Sequence, residues 1–158
     1  MTLSTDTLAA IRLLLDEHGV RYREVHHEPT DTSEAAAAAR GENLEIGGKA
    51  IVMKVGSQFK LFVVSAALKV DSVSIKRKFQ AKKLRFATKE ELFDLADLVP
   101  GSVPPFGPPI TPFELHVDRS IVDNSTIAFN AGSLTDSVTM DVADYLQVAE
   151  PQIGDFSA

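Results

Sequence analysis

A glycine- and proline-rich loop at residues 101–107 has the residue types that most directly suggest contact with a small molecule. Proline fixes φ and lacks an N–H, whereas glycine permits positive φ and close approach of the backbone. The loop is therefore stiff, and it is bare of side chains at its glycines. These properties suit the wall of a binding site whose backbone atoms contact a small substrate. A rigid connector between two secondary-structure elements would have the same composition.

Lys49 is the second candidate, because it follows Gly47 and Gly48 at the predicted start of a strand. An ammonium group at this position could contact a phosphate or a carbonyl oxygen, while the two glycines leave room beside it. A surface lysine at the start of a strand is the alternative interpretation.

Several common catalytic arrangements are absent from the sequence. The chain has no cysteine, which excludes disulfides, thiolate nucleophiles and cysteine-based metal sites. No G-x-S-x-G motif occurs, and the P-loop pattern around Gly48 and Lys49 fails at two of its fixed positions. His26, His27 and His116 lack the spacing of metal ligands, so we expect no metal site and interpret the first two as turn residues.

Charge is distributed unevenly along the chain. The net charge is −6, yet residues 40–89 contain twelve Lys and Arg residues against three acidic ones. A basic middle within an acidic protein can form a local anion-binding surface. A solvated helix face is the alternative, because lysines also cluster on surfaces that bind nothing.

The helices that must position these residues are indicated by apolar periodicity and by capping signals. The periodicity predicts helices over residues 5–18, 33–40, 72–79, 88–98 and 141–148. Their expected N-terminal caps are Asp31 with Glu34, Asp71 or Ser72, Thr88 with Glu91, and Asp141.

Segments rich in β-forming residues alternate with these helices. The clearest pair is 49–55 and 59–65, which Gly56 and Ser57 join as a hairpin. Other strands are predicted at 20–25, 83–87, 113–117, 126–130 and 137–140. Because hairpins and helices are mixed along the chain, the sequence predicts an α+β fold around a mostly antiparallel or mixed sheet.

The length of 158 residues suits a single domain with a sizeable core. We expect that domain to occupy residues 1–150 and the tail over 151–158 to be loose. No apolar run is long enough to cross a bilayer, and the N-terminus lacks the basic and apolar regions of a signal peptide. We therefore expect a cytoplasmic location and no membrane partner.

Four segments together resemble the YbaK/ProX family of aminoacyl-tRNA deacylases, a free-standing group similar to the editing insertion of bacterial prolyl-tRNA synthetases. Their order and spacing match the family along roughly residues 20 to 148. The segments are His27-Glu28-Pro29 with Thr32-Ser33-Glu34-Ala35-Ala36, the strand over 48–54 that opens with Lys49, the loop over 101–107, and Phe129-Asn130-Ala131-Gly132-Ser133.

This resemblance implies a single domain with a curved, barrel-like sheet flanked by helices, and no metal or organic cofactor. It also implies that the chain removes a wrongly attached small amino acid from tRNA by hydrolysing the ester at the terminal adenosine. Alanine, serine, threonine, cysteine and small non-protein residues all stay open as the amino acid removed. Mischarged tRNA would be the partner, with an aminoacyl-tRNA synthetase as a further candidate, and the oligomeric state is open.

The resemblance places Lys49 at the position of the family's functionally required lysine, where it could hold the substrate or stabilise developing negative charge. Backbone N–H groups at Gly101 could donate to the tetrahedral oxyanion. Asn130 stands where the prolyl-synthetase insertion and its alanine-specific relatives have a histidine, so it could form a hydrogen bond but not transfer a proton. A simple turn at the end of the strand is the alternative for Asn130.

The remaining expected contacts with substrate come from the same motifs. The amino-acid pocket and the terminal ribose would be lined by Thr32, Ser33, Val103, Pro104, Pro105, Phe106, Gly107, Ala131, Gly132 and Ser133, although Thr32 and Ser33 could be simple helix caps. The acceptor-stem phosphates would meet Lys76, Arg77, Lys78, Lys82, Lys83 and Arg85.

No side chain in the motifs is an obvious general base, so the expected mechanism uses an activated water or help from the ribose hydroxyl of the substrate. Two alternatives stay open. A non-catalytic tRNA- or synthetase-binding module of the same fold is favoured by Asn130. A hydrolase acting on another small aminoacyl ester would not require the body of the tRNA.

Overall fold

The computed structural model describes residues 3–30 and 32–158, with side chains described from Thr7 onward. Within these residues, six α-helices accompany eight strands. The helices are α1 (Leu3–Glu17), α2 (Ser33–Arg40), α3 (Ser72–Phe79), α4 (Lys89–Ala96), α5 (Arg119–Val122) and α6 (Val142–Ala149). The strands are β1 (Tyr22–His26), β2 (Gly48–Val55), β3 (Gln58–Ser65), β4 (Leu84–Phe86), β5 (Glu114–Asp118), β6 (Thr126–Asn130), β7 (Asp136–Asp141) and β8 (Gln152–Gly154).

The strands form two sheets. The smaller sheet has the order β1-β7-β6, and both of its pairings are antiparallel. The larger sheet has the order β4-β2-β3-β5-β8, in which the β2–β3 hairpin and the β2–β4 pair are antiparallel while β5 runs parallel to β3 and β8 runs parallel to β5. The predicted mixed α+β class is therefore confirmed.

The two sheets meet where β2 begins. Gly47 forms a parallel bridge with Ala128 of β6, which joins the sheets into one curved surface that does not close into a barrel. The main core covers one face of the larger sheet, where α1, α4 and α6 contribute Ile11, Leu92 and Tyr145. A second core, built around Phe62 and Ile75, lies on the opposite face of the larger sheet under α3.

Local signals place most helix ends correctly. Thr88 and Glu91 form the predicted capping box of α4, and the Asp71 side chain accepts the Ser74 N–H at the start of α3. For α2 the observed cap is Thr32, whose Oγ1 accepts the Ala35 N–H at 3.0 Å. The predicted cap Asp31 lies outside the described residues.

The prediction of a loose tail over 151–158 is wrong. Residues 152–154 add β8 to the edge of the larger sheet, and Phe156 is completely buried. The buried carboxylate of Asp118 holds this segment by accepting the Phe156 N–H and the Ser157 hydroxyl. A three-residue strand followed by one aromatic residue is too short for a periodic signal, so the sequence pattern alone could not show it.

None of the helices in the described ranges is long and apolar enough to cross a membrane.

Candidate active site

A small cavity opens at the junction of the two sheets. Its volume is about 250 Å³, at the lower limit of ordinary ligand pockets, which run from roughly 300 to 1,000 Å³. The walls come from α2, the start of β2, the loop after α4 and the end of β6. The lining residues are Thr30, Thr32, Ser33, Ala36, Arg40, Gly47, Gly48, Lys49, Ala50, Ile51, Ala66, Gly101, Val103, Ala128, Phe129 and Asn130.

Glycines at the start of β2 let the two sheets approach at the base of the cavity. A Cβ on Gly48 would lie 2.8 Å from Ile127 Cδ1, and a Cβ on Gly47 would lie 3.0 Å from Ala66 Cβ. Both distances are shorter than ordinary carbon contacts of about 3.5–4.0 Å. A side chain at position 48 would therefore require Ile127 to shift, and Gly48 itself lines the cavity.

Lys49 is half-buried at the cavity wall. Its Nζ donates a hydrogen bond of 2.6 Å to the backbone carbonyl of Leu68, which holds the ammonium group in place. Burial lowers the pKa of Lys49, and the negative charge of Glu34 opposes this shift. The result is one partly desolvated cation, held by a backbone carbonyl, in a site small enough for a single amino acid.

Asn130 and Gly101 meet across the cavity mouth. The Asn130 amide donates through Nδ2 to the Gly101 carbonyl at 2.8 Å. Gly101 has φ +88°, a conformation that residues with a side chain rarely adopt. The predicted catalytic positions Lys49, Gly101 and Asn130 thus lie on one cavity, although they are distant in sequence.

Three further predicted residues also line the cavity: Thr32, Ser33 and Val103. Thr32 combines this position with its capping role, because its Oγ1 accepts the Ala35 N–H. The two interpretations of Thr32, helix cap and pocket wall, are therefore compatible.

The second half of the glycine-proline loop is packed in the core rather than in the cavity. Phe106 is almost fully buried and makes edge-to-face contacts with Phe129 and Tyr145, both at 5.5 Å between ring centroids. The Tyr145 hydroxyl donates to Pro105 O at 2.6 Å, and a Cβ on Gly107 would lie 2.8 Å from Phe113 O.

The expectation that this part of the loop lines the pocket is corrected: Pro104, Pro105, Phe106 and Gly107 are not among the residues that line the cavity. The stiffness predicted from the prolines and glycines serves to anchor the loop. Its first residues, Gly101 and Val103, reach the cavity wall.

The segment after Asn130 also supports the site from outside the cavity. Ala131 is completely buried, and the Gly132 N–H donates to Ser102 O at 3.0 Å, which ties the end of β6 to the loop. Ser133 donates to Asp136 Oδ2 at 3.0 Å. Ala131, Gly132 and Ser133 therefore lie outside the cavity lining, and their contact with the substrate stays a prediction.

Sequence reasoning missed a buried arginine in the cavity wall. The Arg40 side chain is only 4% exposed, lines the cavity and donates from Nη1 to Ser137 Oγ at 3.2 Å. Burial lowers the pKa of Arg40, while the charge of Glu42 opposes the shift. The available signal was an arginine at the end of an alanine-rich helix, a position that is usually exposed to solvent.

Among the six basic residues proposed for tRNA phosphates, Lys83 and Arg85 lie at the other end of β2, where the Gly56 N–H donates to Lys83 O. Arg85 pairs with Lys54, five residues from Lys49, which corresponds to roughly 17 Å along the strand at about 3.3 Å per residue. All six side chains are exposed, and Arg85 forms two hydrogen bonds with the Glu91 carboxylate. None of the six, Lys76, Arg77, Lys78, Lys82, Lys83 and Arg85, lines the cavity.

The cavity is lined by groups that can stabilise negative charge. Its described lining contains two cations, one amide, three hydroxyls and glycine backbone, but neither a carboxylate nor a histidine. In the described residues, no cluster of three His, Asp or Glu side chains could hold a metal ion. Such a lining can polarise a carbonyl and stabilise negative charge on its oxygen.

Comparison with known proteins identifies a family. The model of the aminoacyl-tRNA editing domain matches residues 27–148. The multifunctional Ser/Thr-tRNA deacylase ProXp-y of Escherichia coli (strain K12) is 33% identical over 150 residues, covering 90% of this chain and 88% of that protein. The prolyl-tRNA editing protein ProX of Acetoanaerobium sticklandii is 25% identical over 161 residues, covering 99% and 98%.

The solved structures support the same fold. The structure of a proposed trans-editing enzyme for prolyl-tRNA synthetase superposes with a TM-score of 0.80 at 24% identity, covering 96% of this chain and 97% of that one. The chain belongs to the aminoacyl-tRNA editing domain family. The family predicted from the four sequence segments is thereby confirmed.

Proposed function

We propose that this chain is a trans-editing hydrolase that removes a wrongly attached small amino acid from tRNA. The observation that carries the proposal is the meeting of Lys49, Gly101 and Asn130 on one cavity of about 250 Å³, inside the region that matches the editing-domain family. A cavity of this size and polarity suits one aminoacyl group.

The chemistry follows from the groups in the cavity. The oxygen of a water molecule bonds to the ester carbonyl carbon, the bond from that carbon to the ribose oxygen breaks, and the ribose oxygen takes a proton. Lys49 supplies positive charge to the carbonyl oxygen as it becomes an oxyanion, and Asn130 holds the Gly101 backbone beside it. Because the described lining offers no carboxylate or histidine, proton transfer is assigned to water and to the ribose hydroxyl of the substrate.

The amino acid removed is proposed to carry a hydroxyl group. Thr30, Thr32 and Ser33 bring hydroxyls to the cavity, and the relative from Escherichia coli is named as a Ser/Thr-tRNA deacylase. A site built to hydrogen-bond a substrate hydroxyl strongly rejects an analogue that lacks it. Larger amino acids would be excluded by the size of the cavity.

The body of the tRNA is proposed to contact the basic surface formed by the C-terminal turn of α3 and residues 82–85. Its distance from the cavity favours acceptor-stem phosphates rather than the terminal nucleotide. A synthetase is proposed as a further partner, since a proline–tRNA ligase of Macrococcus caseolyticus is 24% identical over 108 residues, which cover 19% of that protein. The proposed location is the cytoplasm.

The test is a deacylation time course on a panel of mischarged tRNAs that includes seryl-, threonyl- and alanyl-tRNA. Wild type should release a hydroxyl-bearing amino acid, and Lys49→Ala should lose roughly 10²- to 10³-fold in rate, as for removal of one oxyanion-stabilising group. Lys54→Ala is the matched control, because this lysine lies on the same strand but outside the cavity.

A second candidate, a tRNA-binding module without turnover, is favoured by Asn130 in place of a histidine. It would be supported if the chain binds tRNA but releases no amino acid from any member of the panel. Equal rates for wild type and Lys49→Ala would instead contradict the proposed role of the lysine.

A further inference from the structure

Ser137 is the centre of a buried polar network directly behind Asn130. Its Oγ accepts from Arg40 Nη1 at 3.2 Å, lies 2.7 Å from His27 Nε2 and donates to Asn130 Oδ1 at 3.0 Å. Ser137 is only 1% exposed and is not among the residues that line the cavity. It therefore acts on the site only through its neighbours.

Arg40 and Asn130 constrain the hydrogen positions in this network. The Asn130 amide nitrogen faces the Gly101 carbonyl, so its oxygen must face Ser137. Arginine can only donate and the Asn130 oxygen can only accept, so the single hydroxyl proton of Ser137 goes to Asn130. One lone pair of Ser137 then accepts from Arg40, and the other faces His27 Nε2. His27 Nδ1 lies 2.8 Å from the Glu28 carbonyl and must donate there, so Nε2 donates to Ser137 when both ring nitrogens carry a proton.

This arrangement makes the side chain of Asn130 a bridge held at both ends. One end receives the Ser137 hydroxyl, and the other end donates to the carbonyl of Gly101 at the cavity wall. Without Ser137, the Asn130 amide could rotate about its terminal bond, since such torsions are broad. The Gly101 carbonyl would then lose a fixed partner.

We infer that Ser137, oriented by Arg40, is a positioning residue that fixes Asn130 and through it the Gly101 backbone for deacylation. The inference rests on the proposed function and adds two residues from outside the predicted motifs. Arg40 contributes because its side chain is only 4% exposed and its Nη1 donates to Ser137 Oγ at 3.2 Å.

The experiment is a double-mutant cycle on single-turnover deacylation with Ser137→Ala and Asn130→Ala. Ser137→Ala alone should reduce the rate roughly 10- to 100-fold, as expected for a misplaced catalytic group. In the Asn130→Ala background the same change should have almost no further effect, because the group that Ser137 positions is already missing. Equal losses in both backgrounds would overturn the inference.

Thr139→Val is the matched control, since Thr139 lies on the same strand and its hydroxyl donates to Glu42 Oε1 at 3.0 Å rather than to Asn130. This variant should keep close to the wild-type rate. If Ser137→Ala does not fold, Ser137→Cys replaces it in the cycle, because a thiol of similar shape is only a weak donor.

A second measurement does not depend on turnover. In a ¹⁵N spectrum, the side-chain amide signals of Asn130 should shift and broaden in Ser137→Ala but stay unchanged in Thr139→Val. Unchanged Asn130 signals in Ser137→Ala would overturn the inference even if the rate falls. Absence of turnover by wild type would contradict the proposed function, and the spectra would still decide whether Ser137 fixes Asn130.

Discussion

The two ends of β2 place lysines beside different partners. At the Gly48 end, Lys49 is half-buried and donates to the carbonyl of Leu68. At the Val55 end, Lys54 lies 5.7 Å from the centre of the Phe59 ring and faces the exposed Arg85 across the strand pair. Five residues of one strand therefore separate a lysine held at the cavity wall from the part of the sheet where Arg85 is exposed.

This contrast indicates that the two ends of β2 suit different functions. A partly desolvated charge acts strongly on one nearby atom, because the local dielectric is lower than in water. Exposed charges act weakly as individuals, but together they attract a polyanion in a manner that salt suppresses. The cavity end suits chemistry on one carbonyl, and the basic end suits binding of a nucleic-acid backbone.

The largest expected effect is loss of activity at alkaline pH. Lys49 must be protonated to stabilise an oxyanion, and burial lowers its pKa from the ordinary value of about 10.4. Enzymatic deacylation, after subtraction of spontaneous hydrolysis, should therefore fall as pH rises through a pKa below that value. Lys49→Arg should shift this loss to higher pH if it stays active, and a loss at the same pH in that variant would contradict the assignment.

The two glycines at the ends of β2 should differ in what they contribute to stability. Gly48→Ala pushes a Cβ against Ile127 and should destabilise the fold by about 1–3 kcal/mol, the usual range for overpacking. Gly56→Ala has open space around its Cβ but a φ of +63°, so about 1–2 kcal/mol of backbone strain is expected. Urea unfolding measures both, and deacylation should fall only for Gly48→Ala.

Charge reversal at the basic end should weaken tRNA binding without changing the chemical step. Lys82→Glu with Lys83→Glu should raise KM severalfold at low salt and leave kcat unchanged. The slope of log affinity against log salt should fall by about 1 for each phosphate that the variant no longer neutralises. Arg21→Glu, an exposed change outside the basic segment, is the control, and an equal effect there would argue for a general charge effect.

The smallest expected effect is a loss of stability in mild acid. His116 is completely buried beside Phe62 and Phe156, and burial lowers its pKa although Glu114 opposes the shift. Above the unfolded pKa of about 6.5 the histidine is neutral in both states. Below that pH the unfolded chain binds the proton more readily, so the free energy of unfolding decreases.

His116→Phe should remove this component, because phenylalanine suits the aromatic neighbours and does not titrate. Chemical unfolding of both proteins at pH 8 and pH 5 measures the difference. The carboxylates of Glu114 and Asp118, whose pKa values are lowered, titrate below this window. An equal loss in both proteins would show that His116 is not responsible.

Much of the fold was predictable because the sequence patterns that indicate its helices and strands involve residues close together in the chain. The hairpin with its turn at Gly56 and the Thr88–Glu91 capping box depend on residues within a few positions of each other. The pattern did not predict α5 or β8, which have four and three residues, because elements this short show no period.

The candidate site was predicted in part. Lys49, Gly101 and Asn130 lie on the cavity, but the second half of the glycine-proline loop is packed against Tyr145. The composition of that loop indicates a stiff backbone. It does not distinguish a loop that lines the cavity from a loop packed in the core, because both use the same residue types. Arg40 was missed because a buried arginine is rare and its partner is far away in the sequence.

The sequence by itself determined the family, the class of fold and most helices and strands, since these depend on short-range patterns and ordered motifs. Only the tertiary structure decided which cations are desolvated and which loop residues reach the cavity. The physical reason is the distance along the chain: Arg40 meets Ser137 across 97 positions, and Asn130 meets Gly101 across 29. Each of these contacts joins two different segments of the fold, so no local pattern in the sequence encodes it.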